Sequence, residues 1–245
     1  MTGLPRPLDL ARDALFLDVD GTLLDIAPGP DAVVVPEGLP ATLVRLAERL
    51  GGALALLTGR DIATVDRLMA PARLAVAGLH GAELRLPDGT RQEADPPPEL
   101  GPVRAALRAF VAARPGLLLE DKGAAVAVHF RAAPALEGEV AAEVRRLVAA
   151  AGPALALQAG KMVAEIRPAG GDKGSALESF LALPPFIGRR PVAIGDDWTD
   201  EAAFLAANQA GGRSLRVGRA DRPTAATEIV ASPAALRSWI AAIAG

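Results

Sequence analysis

The amino-acid sequence has no cysteine among its 245 residues, which excludes disulfides, thiolate metal sites and cysteine nucleophiles. Tyrosine is also absent, and aromatic residues make up only 3% of the chain. Positive charge is not concentrated anywhere, since the net charge is −3 and no run of Lys or Arg occurs. We therefore expect neither nucleic acid nor an anionic membrane as a partner.

Long apolar runs are missing as well. No stretch approaches the length of a membrane span, and residues 1–9 lack the apolar core of a signal peptide, so we expect a cytoplasmic protein. The overall balance, 51% hydrophobic and 22% charged, is that of an ordinary globular protein. A chain of this length can form one large domain or two small ones.

Apolar periodicity predicts alternating strands and helices at both ends of the chain. Short apolar runs, which are typical of buried parallel strands, occur at 14–19 (where the run ends in acidic residues), 53–57, 74–77 and 191–194, and we predict a further strand at 215–217. Helical spacing or capping signals occur at 37–50, 61–69, 172–181, 200–207 and 233–244. This alternation predicts an α/β fold with a Rossmann-like parallel sheet, covered by helices on both faces.

The pattern changes in the middle of the chain. A Pro-Asp-Gly turn at 87–89 and the proline-rich residues 95–98 indicate a boundary. Beyond them the pattern predicts an αββαββ module with its own small antiparallel sheet. We therefore predict a core domain formed by residues 1–96 and 168–245, with a smaller α+β domain inserted at 97–167.

Four polar clusters follow the predicted core strands or open the predicted core helices. They are the D-x-D-G-T of residues 18–22, the T-G-R of 58–60, the D-K-G of 172–174 and the G-D-D-W-T-D of 195–200. Ligands of open α/β sheets bind at the carboxyl ends of the strands, so we expect the clusters to converge on one site.

The residue types in these clusters suit a phosphate and a divalent cation. Asp18 and Asp20 would repel each other unless a cation or a proton lay between them. The hydroxyl of Thr58, with free N–H groups at a helix N-terminus, suits a phosphate, and the acidic loop around Asp196 suits Mg²⁺. The first three clusters also have a plain structural alternative each: an Asp-Gly turn, a Thr-Gly turn and, for Lys173, a side chain that points to solvent.

Taken in order, the four clusters resemble the motifs of the haloacid-dehalogenase-like hydrolases over the whole predicted core domain. The resemblance implies phosphoryl transfer to an aspartate, with Asp18 as the nucleophile and Asp20 as the general acid and then the general base. It further implies that Thr58, the N–H of Gly59 and Lys173 hold the phosphoryl oxygens.

The same resemblance implies a Mg²⁺ site. Its ligands would be Asp18, the backbone carbonyl of Asp20, and Asp196. Asp197 and Asp200 would lie behind these ligands and steady the metal site and Lys173.

Segments in and just before the inserted domain resemble the trehalose-6-phosphate phosphatases. They are G-L-H-G-A-E at 78–83, E-D-K-G at 120–123, H-F-R at 129–131 and G-K-x-x-x-E-x-R-P at 160–168. The resemblance implies a cap that closes over the site. It also implies that a phosphosugar is bound by Gly59, Arg60 and His80 of the core and by Glu120, Lys122, Arg131, Lys161 and Glu165 of the cap. One departure is Phe130, which keeps the ring of the usual aromatic residue but has no hydroxyl.

The residues themselves leave alternatives open for the cap. Lys161 and Glu165 lie four residues apart on one predicted strand and therefore share a face. Glu120 and Lys122, two residues apart, share a face in the same way. Such a set can bind sugar hydroxyls, or it can be a solvent-facing charge ladder. His80 and His129 can equally be core or hinge residues bonded to the backbone, and their separation in sequence does not indicate a zinc site.

Other functions also remain open at this point. The nearest is a phosphatase for another phosphosugar, such as sucrose phosphate or a mannosyl-phosphoglycerate. A catalytically silent phosphosugar-binding regulator would be favoured by the loss of Asp18 or Asp20, and both are present. A receiver domain also phosphorylates an aspartate but has no cap. Because the sequence has no fused glycosyltransferase domain, we expect the trehalose-6-phosphate synthase to be a separate protein.

Overall fold

The computed structural model describes residues 5–27, 32–93, 95–160, 162–219 and 222–245. The chain divides into two compact units, one formed by residues 1–92 and 172–245 and the other by residues 93–171. The boundaries predicted for an inserted domain, at 97 and 167, lie within the second of these ranges. Among the described residues, no helix combines the length and the apolar character that a membrane span requires.

The strands and helices are numbered along the chain. The strands are β1 (Asp13–Leu17), β2 (Leu54–Leu57), β3 (Ala75–Gly78), β4 (Glu83–Arg85), β5 (Arg91–Glu93), β6 (Leu118–Asp121), β7 (Val126–His129), β8 (Leu155–Gly160), β9 (Val163–Pro168), β10 (Arg190–Gly195), β11 (Arg213–Val217) and β12 (Glu228–Val230). The helices are α1 (Leu39–Arg49), α2 (Ile62–Leu68), α3 (Leu100–Ala112), α4 (Glu137–Ala151), α5 (Lys173–Leu181), α6 (Glu201–Gln209) and α7 (Pro233–Ala244).

The larger unit is built on an eight-stranded sheet with the order β12-β11-β10-β1-β2-β3-β4-β5. The strands from β12 to β3 pair in parallel, and β4 runs antiparallel to β3. All five residues of β1 are buried, as expected for a central strand covered on both faces. The ring of Phe16 on this strand stacks on Phe186 at 5.4 Å between centroids, and both pack against Phe180 of α5. The predicted parallel-sheet α/β fold is confirmed.

The smaller unit has its own antiparallel sheet with the order β6-β7-β9-β8. Its elements follow the predicted order α3, β6, β7, α4, β8, β9. A separate hydrophobic core forms between the helices and the sheet, and it includes Leu107 of α3, Val144 of α4, and Val128 and Ile166 of the sheet. The unit therefore buries apolar surface by itself.

The sequence analysis did not predict β4, β5 or β12, and the last two end the eight-stranded sheet on either side. Each has three residues, Arg91–Glu93 and Glu228–Val230, and each contains charged side chains. Short, charged strands are typical of sheet edges, where they discourage pairing with another chain. Strands of three residues are also too short for an alternating apolar pattern to be recognised in the sequence.

Candidate active site

Three of the four polar clusters lie at the carboxyl ends of neighbouring parallel strands. Asp18 follows β1, Thr58 follows β2, and Asp196 follows β10. Because β1 pairs with both β2 and β10, these ends meet at one edge of the sheet. The fourth cluster opens α5 and brings Lys173 to the same place.

Lys173 is held at the start of α5 by a capping box. The Asp172 side chain accepts a bond from the Ser175 N–H at 2.8 Å, and the Ser175 hydroxyl accepts one from the Asp172 N–H at 2.9 Å. The Lys173 ammonium is buried and donates to Asp18 Oδ1 and Asp200 Oδ1, each at 2.6 Å. The alternative that this lysine points to solvent is therefore wrong. Burial alone would lower the pKa of Lys173, but the two carboxylates outweigh burial and raise that pKa above its ordinary value.

Asp18 has one oxygen held and one oxygen without a partner. Its Oδ1 accepts from Lys173, whereas Oδ2 is buried and has no hydrogen-bond partner within the described part of the chain. Burial raises the pKa of Asp18 well above its ordinary value, and the charges of Asp200 and Asp196 add to the rise although Lys173 opposes it. The carboxylate is thus oriented through Oδ1, while Oδ2 has no donor beside it among the described residues.

The acidic cluster fits a cation. Asp18, Asp196 and Asp200 can each offer an oxygen within 4.8 Å of the others. Burial and the Asp200 charge raise the pKa of Asp196 to about 6. Three buried or half-buried carboxylates face one ammonium, so a divalent cation would balance the charge, and the unpartnered Oδ2 of Asp18 is a free ligand atom.

Asp200 is already engaged by protein groups. Its Oδ1 accepts from Lys173, and its Oδ2 accepts from the N–H groups of Asp196 and Asp197, both at 3.0 Å. Asp197 in turn accepts from the Thr199 N–H at 2.9 Å. These bonds fix the loop and the lysine. The supporting roles expected for Asp197 and Asp200 remain predictions that this geometry favours.

Gly21 allows the two acidic loops to approach each other. Its φ is +84°, and a Cβ built at this position would lie 2.1 Å from Asp196 Oδ2. The neighbouring Thr22 hydroxyl donates to Asp196 Oδ1 at 3.1 Å. The sequence included Thr22 in the first motif without a role for it, and this hydrogen bond supplies one.

Asp20 is paired with Arg60. The Arg60 Nε donates to Asp20 Oδ2 at 2.6 Å, and the other guanidinium nitrogen, Nη2, donates to Oδ1 at 2.7 Å. The Arg60 N–H also donates to the Thr58 hydroxyl oxygen at 3.1 Å, and that hydroxyl still carries a proton that it can donate. The sequence assigned Arg60 to the substrate, which remains a prediction. No pattern in the sequence predicted the ion pair between Arg60 and Asp20.

His80 lies against the T-G-R segment of residues 58–60. It is buried, it adopts a left-handed backbone conformation with φ 56°, and a Cβ on Gly59 would come within 2.6 Å of its Nε2. The imidazole therefore packs directly on the backbone of Gly59. Contact between His80 and substrate remains a prediction.

The smaller unit brings part of the predicted sugar-binding set together. The Lys122 ammonium lies 2.6 Å from Glu165 Oε2 and 3.9 Å from Glu120 Oε2, which in turn lies 2.8 Å from His129 Nε2. The Glu165 side chain is only 8% exposed, and its Oε1 has no hydrogen-bond partner among the described residues. A charge ladder facing solvent does not account for this burial.

The two remaining cap residues of the predicted set stay predictions. Arg131 is exposed, two residues beyond the end of β7. Lys161 lies outside the described residues. His129 was not assigned to the set, and only the pairing of β6 with β7 brings it near Glu120.

The fold is similar to that of a solved structure described as a haloacid dehalogenase-like hydrolase from Bacteroides thetaiotaomicron, which matches with a TM-score of 0.68 at 17% identity, covering 95% of this chain and 99% of that chain. A solved structure described as a trehalose-6-phosphate phosphatase related protein matches with a TM-score of 0.79 at 26% identity, covering 94% of this chain and 96% of that chain.

Sequence comparison defines the family. The family profile described as trehalose-phosphatase matches residues 16–233. A probable trehalose-phosphate phosphatase of Sinorhizobium fredii is 51% identical over 236 residues, which are 96% of this chain and 89% of that protein. The trehalose-6-phosphate phosphatase of Escherichia coli is 43% identical over 209 residues, 85% of this chain and 78% of that protein. The chain belongs to the trehalose-phosphatase family, which confirms the resemblance expected from the motifs.

Proposed function

We propose that this chain is a cytoplasmic, Mg²⁺-dependent phosphatase that hydrolyses trehalose 6-phosphate to trehalose and phosphate through an aspartyl-phosphate on Asp18. The observation that carries the proposal is the state of Asp18, with one oxygen fixed by Lys173 and the other buried and unpartnered among the described residues. The two relatives above, whose names give trehalose phosphate as the substrate, support the choice of sugar.

In the first half of the reaction, a carboxylate oxygen of Asp18 bonds to phosphorus while the bond from phosphorus to the sugar oxygen breaks. Protonated Asp20 gives its proton to that departing oxygen. Both carboxylate oxygens of Asp20 accept from Arg60, so Asp20 must leave Arg60 before it can give a proton to the departing oxygen. Lys173, Thr58 and the Gly59 N–H hold the phosphoryl oxygens during transfer.

In the second half, Asp20 takes a proton from water, and the resulting oxygen attacks the phosphorus of the aspartyl-phosphate. The bond between phosphorus and Asp18 breaks, phosphate leaves, and Asp18 returns as a carboxylate. Asp20 is again protonated, so the cycle balances in atoms and charge.

Asp18, Asp196 and the backbone carbonyl of Asp20 would hold the cation. When bound, Mg²⁺ supplies positive charge that offsets the repulsion between the carboxylates and a phosphate dianion. Asp200 keeps Lys173 and the backbone of the loop in place from behind these ligands.

We assign sugar recognition to the smaller unit. One side of its sheet combines two hydrogen-bond acceptors, Glu165 and Glu120, with one donor, Lys122. This combination suits the hydroxyls of a disaccharide, which both donate and accept. Glu165 Oε1 in particular is a buried acceptor without a protein donor among the described residues. The trehalose 6-phosphate itself would come from a separate synthase.

The test is phosphate release from trehalose 6-phosphate by the wild-type protein and by Asp18→Asn, with Mg²⁺ and with EDTA. We expect EDTA to abolish activity and Asp18→Asn to fold normally but lose more than roughly a thousandfold in kcat. Activity of the variant within tenfold of wild type, about 1.4 kcal/mol of barrier, would mean that another group attacks phosphorus.

A panel containing sucrose phosphate and a mannosyl-phosphoglycerate separates the remaining candidates. A higher kcat/KM on either of them would replace trehalose 6-phosphate as the substrate. Binding without turnover of any ester would favour the silent regulator.

A further inference from the structure

Trp198 is an exposed indole inside the loop that carries the acidic cluster. Its exposure is 54%, whereas the second tryptophan of the chain, Trp239, is 6% exposed in α7. A single exposed apolar residue needs no explanation by itself. The position of Trp198 between Asp197 and Thr199 is what sets it apart.

The backbone on both sides of Trp198 is fixed by hydrogen bonds. The Asp197 N–H donates to Asp200 Oδ2 at 3.0 Å, and the Thr199 N–H donates to Asp197 Oδ1 at 2.9 Å. Asp200 is itself buried and bonded to Lys173. The base of the indole is therefore held in place relative to the groups proposed to bind the phosphoryl group and the metal.

Trp198 is also within reach of a substrate held at that site. It follows Asp196 by two residues, so their Cα atoms are at most about 7 Å apart. In a phosphosugar the first sugar ring is joined to phosphorus through one ester oxygen. When the phosphate lies at the acidic cluster, that sugar ring must therefore lie at a distance from the cluster similar to that of Trp198.

The chemistry of the indole suits contact with a sugar ring. Aromatic faces carry partial negative charge and attract the polarised C–H groups on a sugar ring. With no tyrosine and few aromatic residues, the chain has few side chains able to do this. We propose that Trp198 is a platform on which the sugar ring next to the phosphate packs, an inference that rests on the proposed function.

Steady-state kinetics test the platform. We expect Trp198→Ala to lower kcat/KM for trehalose 6-phosphate about tenfold more than kcat/KM for p-nitrophenyl phosphate, which has no sugar. Trp198→Phe keeps an aromatic face and should recover most of the loss. The control is Leu205→Ala, which removes another exposed apolar side chain from α6 and should leave both substrates unaffected.

Fluorescence supplies a readout that does not depend on turnover. Because Trp239 is buried, a change in emission on adding trehalose should come from Trp198, and it should be absent in Trp198→Phe. A change that persists in Trp198→Phe would overturn the platform. So would equal losses on both substrates in Trp198→Ala, or no loss on either.

These outcomes are distinct from failure of the proposed function. That function fails if the wild-type protein releases no phosphate from trehalose 6-phosphate. The platform fails if the wild-type protein does release it and Trp198→Ala behaves like Leu205→Ala.

Discussion

At the scale of single residues, the site is an arrangement of buried charges that do not cancel. Lys173 has two carboxylate partners, and Asp196 adds a third negative group beside them. Removing charges from water is costly unless they are paired, so this excess should destabilise the metal-free protein. The same excess is what gives the site its affinity for a cation.

Asp196→Asn is therefore expected to stabilise the metal-free protein. With a pKa of about 6 instead of 3.8, the folded state binds this proton more tightly than the unfolded chain. The associated stability is present below about pH 4, is lost as the pH rises through about 6, and amounts to at most about 3 kcal/mol. In EDTA at about pH 8, above this window, we expect the variant to unfold at a higher temperature than wild type.

Addition of Mg²⁺ should reverse that order. Mg²⁺ should raise the unfolding temperature of the wild-type protein and not that of Asp196→Asn, because one ligand is lost. Asp25→Asn, at an exposed position, is the control and should follow wild type in both buffers. A variant that is still stabilised by Mg²⁺ as strongly as wild type would remove Asp196 from the metal site.

At the scale of elements, the sequence was informative wherever a pattern repeats over several residues. Continuous apolar runs predicted β1, β2, β3 and β10, and the Asp61 cap and helical spacing predicted α2. The contact between Asp20 and Arg60 was not predictable in this way. These residues are 40 positions apart, and only the pairing of β1 with β2 brings them together.

The loop after β1 provides a test at this scale, Gly21→Ala. A residue with a side chain is strained at φ +84°, and the new Cβ would also displace the Asp196 carboxylate. We expect a loss of about 1–2 kcal/mol in stability and an increase of roughly tenfold or more in the Mg²⁺ concentration needed for half-maximal rate.

Gly89→Ala is the matched control for that experiment. Gly89 has φ +88°, and a Cβ added there would meet no atom of the described residues within 4 Å, so this position shares the backbone strain without the clash. The variant should lose similar stability and keep the wild-type dependence on Mg²⁺. If both variants showed the same change in Mg²⁺ dependence, the approach of Gly21 to Asp196 would not explain it.

At the scale of the whole molecule, the described residues form two separate hydrophobic cores, one in each unit, and each unit carries a cluster of charged side chains. The residues assigned to phosphoryl transfer all lie in the larger unit, whereas Glu120, Lys122 and Glu165 lie in the smaller one. Binding energy from a part of the substrate remote from phosphorus can still accelerate the chemical step, provided that it helps to align the phosphoryl group. This division predicts that substitutions among these three residues lower kcat/KM for sugar phosphate esters more than kcat/KM for phosphate esters without a sugar.

Glu165→Ala tests that division. Its carboxylate pairs with Lys122 and has a second oxygen without a donor among the described residues, and a hydrogen bond to such a charged group contributes about 1.5–3 kcal/mol. We expect kcat/KM for trehalose 6-phosphate to fall by about a hundredfold more than kcat/KM for p-nitrophenyl phosphate. Glu137→Ala, in the first turn of α4 and outside the smaller unit's cluster of charged side chains, should change neither value. Equal fractional losses on the two esters would show that Glu165 supports the fold or the chemistry in general, and the assignment of sugar recognition to the smaller unit would then be wrong.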